Sequence, residues 1–228
     1  MNQHYTIPTF SSEWWLAISI SFVIIFLFIY FGKIININNR HYLSKFIAII
    51  LILRFVLIHP YHYFILNAWD STINLPLHLC GLSAILSGIV LIYPKQILYE
   101  LLFFWGLPGA FHSFLTPEFT VGHSGLLYIE YFISHGGILL SALYLTIVDG
   151  MKPRKNSWLK VFLYSQILIP IIGFVNYLLD ANYMFLCQAP IVNNPLIFTT
   201  TWPWYILSID FLALIHYYIL YLILRFKK

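Results

Sequence analysis

Seven long apolar segments constrain the fold of this chain more than any other feature of its sequence. They cover residues 14–32, 44–66, 73–93, 97–115, 125–148, 158–179 and 203–225. Each approaches the roughly 20 residues that a helix needs to cross a bilayer. Because 61% of the 228 residues are hydrophobic and only 9% are charged, the chain lacks the polar surface of a soluble protein. We therefore predict an all-α fold, with residues 1–228 forming one domain of seven transmembrane helices.

The basic residues indicate how these helices are oriented. Eleven of the twelve fall at alternate connections or at the C-terminal end: Lys33, Arg40, Lys45, Lys95, Lys152, Arg154, Lys155, Lys160, Arg225, Lys227 and Lys228. Lysine and arginine accumulate in the cytoplasmic loops of membrane proteins. We expect the N-terminus outside and the C-terminus inside. No basic tract predicts nucleic-acid binding, and the sequence does not indicate an oligomeric state.

Arg54 is the twelfth basic residue and lies in the middle of an apolar segment. A charge at this depth is costly unless it is paired or hydrated, and such residues usually have a function. Two roles are open at this point. Arg54 either forms an ion pair with Glu100 or Asp210 inside the bundle, or it contacts a ligand.

Other polar residues are predicted to gather near the outer ends of the helices. The histidines among them are His59, His62, His78, His112, His123 and His135. The acids Glu130 and Asp210 and the amides Asn176 and Asn182 fall on the same side. Such a collection predicts a polar cavity open to the outer leaflet or the exterior. Six residues are candidates for substrate binding there: Arg54, His78, His112, Glu130, Asn176 and Asn182.

Cys80 is the candidate nucleophile of this cavity. At helical spacing it shares a face with Ser83, Ala84 and Ser87. Small residues mark helix contacts in membranes, so Cys80 should face the bundle rather than lipid. The helical rise places Cys80 about 10 Å below the outer end of its helix, at the estimated level of His135 and Asp210. A buried cysteine that serves only for packing would show the same pattern.

Three chemistries fit these residues. In the first, Cys80 is a nucleophile with His135 as its base, and Asp210 or Glu130 orients the histidine. In the second, histidines bind a metal, although no tight zinc-binding spacing is present. In the third, the polar residues form a proton relay or transport pathway. We predict no metal and no cofactor.

Five short motifs occur in an order that resembles the YwaF-like family of bacterial integral membrane proteins. They are "LPLHLC", "SFLTPEF", "YFISHGGILLSALYLT", "NYMFLCQAP" and "WPWYIL", from about residue 70 to the end of the chain. That family is similar to the vertebrate transmembrane protein 164 group, whose members resemble phospholipid acyltransferases with a membrane cysteine and histidine. The resemblance implies that Cys80 carries the acyl group and that His135 is its acid–base partner.

Three classes of function follow from the residues and the resemblance together. The first is a thiol-dependent acyltransferase acting on a membrane phospholipid or lyso-lipid, with Cys80, His135 and Asp210 as catalytic residues. The second is a transporter or proton-coupled carrier that uses Arg54, Glu100 and Asp210, and the third is a lipid-binding or assembly protein without turnover. The second cysteine, Cys187, would abolish a free nucleophile if it formed a disulfide with Cys80.

Overall fold

The structure, a computed structural model, describes residues 5–119, 122, 125–190 and 197–225. The described residues form eight α-helices: α1 (Ser12–Ile34), α2 (Arg40–Pro60), α3 (Leu79–Ile92), α4 (Gln96–Leu101), α5 (Leu107–Leu115), α6 (Leu126–Ile147), α7 (Ser157–Leu179) and α8 (Trp204–Arg225). Two short antiparallel strands, β1 (Tyr5–Thr6) and β2 (Glu118–Phe119), pair the N-terminal segment with the residues after α5. His123, Lys227 and Lys228 lie outside the described residues. The all-α prediction is confirmed.

Five helical runs in the described part of the chain are long and apolar enough to cross a membrane. They are Ser12–Ile34, Ile37–Ile65, Leu126–Ile147, Ser157–Leu179 and Trp204–Arg225. The predicted segment 97–115 is also helical throughout, but α4 and α5 are joined by a π-helical turn, Leu102–Gly106. Pro108 lacks a backbone N–H, and its ring crowds the carbonyl four residues earlier. The wider turn lets the helix pass through this position, so Gly106 and Pro108 do not break it.

The helix predicted over residues 73–93 begins later than expected. Its observed range is Leu79–Ile92, with His78 in an extended conformation as the N-cap. Pro76 disfavours helical geometry in the residue before it. A Cβ on Gly81 would lie 2.9 Å from the Pro76 backbone, so this glycine lets the turn at Pro76 pack against the first turn of α3. Cys80 therefore lies in the first turn of α3, and the predicted depth of about 10 Å below the helix end is wrong.

Helix α6 lies at the centre of the bundle and packs against α1, α2, α3 and α5. Ile138, Ala142 and Leu145 on α6 are fully buried. Helices α7 and α8 pack mainly against each other beside this core. Only 11% of the apolar window of α8 is buried, compared with 39% for α6. Most of the α8 surface is therefore available to lipid.

Hydrogen bonds group the connections at two ends of the bundle. At one end, which we call the N-terminal face, Thr9 donates to the Leu115 carbonyl, and Leu75 N–H donates to the Tyr183 hydroxyl. At the other, the basic face, Arg154 binds Glu100 and Arg40 donates to the Val148 carbonyl. Leu75, Thr116 and Phe185, in the connections after α2, α5 and α7, line one space. These connections thus lie at the same end as the N-terminal segment, opposite those after α1, α3 and α6.

Candidate functional site

A cavity of about 490 Å³ lies among α2, α3, α5 and α6 near the N-terminal face. We call it the polar cavity. It brings together six of the residues singled out in the sequence, which come from four helices and one connection: Arg54, His78, Cys80, His112, Glu130 and His135. Residues distant in sequence therefore converge on one space inside the bundle.

Cys80 occupies the second position of α3 and is partly buried. Its Sγ lies 3.9 Å from the Ser113 Oγ on α5. The first hydrogen bond of the helix runs from Leu82 N–H to the His78 carbonyl, and the His78 side chain does not cap the helix. Within the described residues, the N–H groups of Leu79, Cys80 and Gly81 therefore have no acceptor. These groups and the helix dipole concentrate partial positive charge at the end of α3 that carries Cys80.

His135 is held in one tautomer by the backbone of its own helix. Its Nδ1 lies 2.9 Å from the Tyr131 carbonyl oxygen. A carbonyl only accepts, so Nδ1 carries the proton and Nε2 of the neutral ring is left as an acceptor. The Tyr131 ring lies 4.3 Å from the His135 ring, centroid to centroid, and its hydroxyl donates to the Ser113 carbonyl at 2.8 Å. Tyr131 thus connects the base candidate with the residue beside the Cys80 sulfur.

Arg54 forms an ion pair with Glu130, which joins α2 to α6 within the cavity wall. The prediction that Arg54 would pair with Glu100 or Asp210 is therefore wrong. Glu100 is buried at the basic face and receives two hydrogen bonds from the Arg154 guanidinium, at 2.7 and 2.9 Å. The Arg54 and Glu130 side chains are 13% and 21% exposed, so a ligand in the cavity can reach both.

Three further histidines offer donors to the polar cavity. His78 Nδ1 accepts from the Met184 N–H, His59 Nδ1 from the Trp69 indole, and His62 Nδ1 from the Asn74 amide. Each neutral ring therefore carries its proton on Nε2. All three residues line the cavity together with Arg54. This set of donors is suited to anionic or carbonyl oxygens.

Asp210, Asn176 and Asn182 lie away from this cavity. Asp210 accepts from the Gln166 amide at 2.8 Å and links α8 to α7. Asn176 is buried and binds both the N–H and the carbonyl of Tyr183, at 2.8 and 2.9 Å. Asn182 accepts from the N–H groups of Cys187 and Gln188. The two asparagines therefore shape the connection after α7, and Asp210 does not contact His135.

The connection after α7 forms part of the cavity wall through Phe185 and Pro190. Tyr183 anchors it, since its hydroxyl donates to the Ser71 carbonyl at 2.7 Å. Burial raises the pKa of this hydroxyl, so it remains a donor at neutral pH. Cys187 is exposed in the same connection, and both cysteines are free. The expected alternative of a Cys80–Cys187 disulfide is absent from this structure.

Two residues of the site were not identified from the sequence. Ser113 lies beside the Cys80 sulfur, and Tyr131 supplies the carbonyl that orients His135. The only sequence signal for Tyr131 is its position four residues before His135, where a helix brings a carbonyl to the histidine. In the described residues, no three His, Cys, Asp or Glu side chains converge in a group that could hold a metal ion.

Comparison with known proteins gave one match. No curated protein and no solved structure is similar to the chain. Among protein families, the TMEM164 family matches residues 9–221. This range contains every predicted site residue and all the transmembrane candidates, apart from the last four residues of α8. Together with its apolar helices, this match identifies a multi-pass protein embedded in a bilayer. The chain belongs to the TMEM164 family.

Proposed function

We propose that this protein is an acyltransferase that moves a fatty acyl group from a phospholipid to a lyso-lipid through a thioester on Cys80. One observation carries the proposal: Cys80, beside the free N–H groups of α3, and His135, with Nε2 unprotonated, line the same cavity. The five motifs further suggest that the chain is one of the YwaF-like members, in the cytoplasmic membrane of a bacterium.

The first half of the reaction forms the thioester. His135 Nε2 accepts the thiol proton, and the Cys80 sulfur attacks the ester carbonyl carbon. A C–S bond forms, the C–O bond breaks, and His135 returns the proton to the departing lyso-lipid oxygen. The free N–H groups of Leu79, Cys80 and Gly81 are candidate donors to the oxyanion that develops on the carbonyl.

The second half transfers the acyl group to the acceptor. An acceptor hydroxyl gives its proton to His135 and attacks the thioester carbon. The C–S bond breaks, and the Cys80 sulfur leaves and recovers the proton from His135. Burial of the thioester among helices limits the access of water, which favours transfer over hydrolysis.

The donors of the polar cavity support a phospholipid as the substrate. Arg54 and the Nε2–H groups of His59, His62 and His78 match the oxygens of a phosphodiester headgroup. In this proposal Tyr131 orients His135 through its carbonyl, the role that the sequence assigned to Asp210 or Glu130. Asp210 acts at the α7–α8 contact instead.

The test is a transfer assay with the two cysteines as a matched pair. Purified protein in proteoliposomes is given a diacyl phospholipid with a labelled chain and an unlabelled lyso-lipid, and the label is followed. Cys80→Ala should fall to background and Cys80→Ser close to it, because a hydroxyl is a far weaker nucleophile than a thiolate. Cys187→Ala, which changes the exposed cysteine, should retain full activity.

Full transfer by a well-folded Cys80→Ala protein would contradict the covalent mechanism. Transport or lipid binding without turnover would then become the leading functions. Arg54 would be the first residue to substitute, because it is a charged residue of the cavity wall.

A further inference from the structure

A second cavity, of about 340 Å³, lies on the other side of Cys80, among α3, α5 and α8. We call it the apolar cavity. Its walls include Trp105, Pro108, Ile209, Leu212, Ala213 and Tyr217. Cys80 and Ser113 line both this cavity and the polar cavity. The sulfur therefore lies where a polar space and an apolar space meet.

Trp105 and His216, which line the apolar cavity but not the polar one, already have hydrogen-bond partners. The Trp105 indole donates to the Ser165 Oγ at 2.9 Å. His216 Nδ1 donates to the Leu212 carbonyl at 2.7 Å, so His216 Nε2 is the acceptor of the 3.3 Å bond from His112 Nε2. A ligand in this space finds few free donors or acceptors, which favours a hydrocarbon over a headgroup.

The sulfur is accessible from this side because residue 109 is a glycine. A Cβ on Gly109 would lie 3.1 Å from the Cys80 Sγ, closer than an ordinary contact. On the opposite wall, α8 contributes Ile209, Leu212, Ala213 and His216, which recur at helical spacing along one face. The same helix is the least buried of the five membrane-crossing candidates, at 11%. A chain in the surrounding lipid is thus separated from the cavity by a single helix.

We propose that the apolar cavity holds the long-chain fatty acyl group while it is attached to Cys80. The headgroup of the lipid then occupies the polar cavity, and the ester bond lies between the two, at the sulfur. This inference rests on the proposed function, and it adds that the length of the acyl chain is selected by α5 and α8. Narrowing the apolar cavity should therefore discriminate against long chains.

The experiment compares two esters on the purified protein in detergent, in a Cys187→Ala background. 4-Nitrophenyl acetate and 4-nitrophenyl palmitate each release nitrophenolate when they acylate Cys80, and intact-protein mass spectrometry locates the adduct. Ala213→Phe should lower the palmitate-to-acetate rate ratio by about tenfold or more, since a few methylene groups displaced from an apolar pocket have an effect of this size.

Ala17→Phe is the matched control. Ala17 lines a separate apolar cavity of about 350 Å³ among α1, α2 and α6, which does not include Cys80. This variant should keep the wild-type ratio. If Ala213→Phe does not purify as a folded protein, Ala213→Leu provides a smaller side chain at the same place and should lower the ratio less.

The outcomes separate the two proposals. If both esters acylate Cys80 and the Ala213 variants keep the wild-type ratio, the acyl chain lies elsewhere and this inference is wrong, while the proposed function stands. If neither ester acylates Cys80 in the wild-type protein, the proposed function is wrong and the inference fails with it.

Discussion

Backbone groups, rather than an acidic side chain, define the surroundings of Cys80 and the orientation of the His135 ring. Cys80 lies in a first helical turn whose three N–H groups have no acceptor among the described residues, and the Tyr131 carbonyl accepts from His135 Nδ1. The sequence indicated the two candidate reactive residues, because a thiol and an imidazole in apolar helices are unusual. It could not indicate Tyr131, since every helical residue has a carbonyl and only the ring orientation shows which one is used.

If Cys80 and His135 act as a pair, their substitutions should not be additive. We expect Cys80→Ala and His135→Ala each to reduce acyl transfer to near background. The double variant should be no slower than the slower single variant, because a base has no role without its nucleophile. Initial transfer rates of the three proteins in proteoliposomes provide the measurement. A double variant whose loss equals the product of the two single losses would show independent roles.

The Arg54–Glu130 pair leads to a prediction about stability. Removing one partner leaves a buried charge without compensation, which costs about 3–5 kcal/mol in proteins. Arg54→Met and Glu130→Met should each lower the unfolding free energy by an amount of this order. The double substitution should recover most of the loss, because two apolar side chains can replace the pair.

Equilibrium unfolding in mixed micelles of a mild detergent and sodium dodecyl sulfate measures all three proteins. The pair formed by the exposed Arg154 and the buried Glu100 at the basic face is the comparison, with Arg154→Met as its variant. A double Arg54/Glu130 variant as unstable as the sum of the two single variants would mean that the side chains act independently.

At the scale of helices and connections, the apolar pattern predicted the bounds of most helices well. It did not predict where a turn replaces the start of a helix. The observed α6, α7 and α8 lie within a few residues of the predicted segments. The start of α3 was missed because apolar composition continues through residues 73–78, although Pro76 prevents the helix there. That difference matters for the site, since it moves Cys80 from the helix interior to the helix N-terminus.

The connection after α7 provides a prediction that separates structural from substrate-binding roles. Asn176→Ala would leave the buried N–H and carbonyl of Tyr183 without partners. We expect it to lower the unfolding free energy by about 2–4 kcal/mol and to increase protease cleavage of residues 182–190. Asn182→Ala removes bonds to exposed N–H groups that water can replace. It should therefore lower the unfolding free energy by about 1 kcal/mol or less.

Substrate titrations decide between the two roles. A residue that only supports the connection should change stability, and its variant should keep the wild-type KM when assayed well below its unfolding temperature. A raised KM in Asn182→Ala with unchanged stability would instead favour the direct contact that the sequence suggested.

At the scale of the whole molecule, the contacts among connections agree with seven crossings. The N-terminal segment and the connections after α2, α5 and α7 share one face, while those after α1, α3 and α6 share the other. From this alternation we expect α3 and the α4–α5 run to cross as well, although α3 rises only about 21 Å over its 14 residues. We expect the turns formed by residues 71–78 and the polar cavity to occupy the rest of the depth.

The distribution of basic residues then predicts which face is cytoplasmic. Lysine and arginine are retained inside, so the basic face should face the cytoplasm and the N-terminal face the exterior.

In a Cys80→Ala protein, Cys187 is the single thiol, and it is exposed in a connection of the N-terminal face. A membrane-impermeant maleimide added to intact cells should therefore label it. In a Cys80→Ala/Cys187→Ala background, Lys155→Cys on the basic face should be labelled only after lysis. Labelling of Lys155→Cys in intact cells, with Cys187 protected, would reverse the orientation and place the polar cavity on the cytoplasmic side.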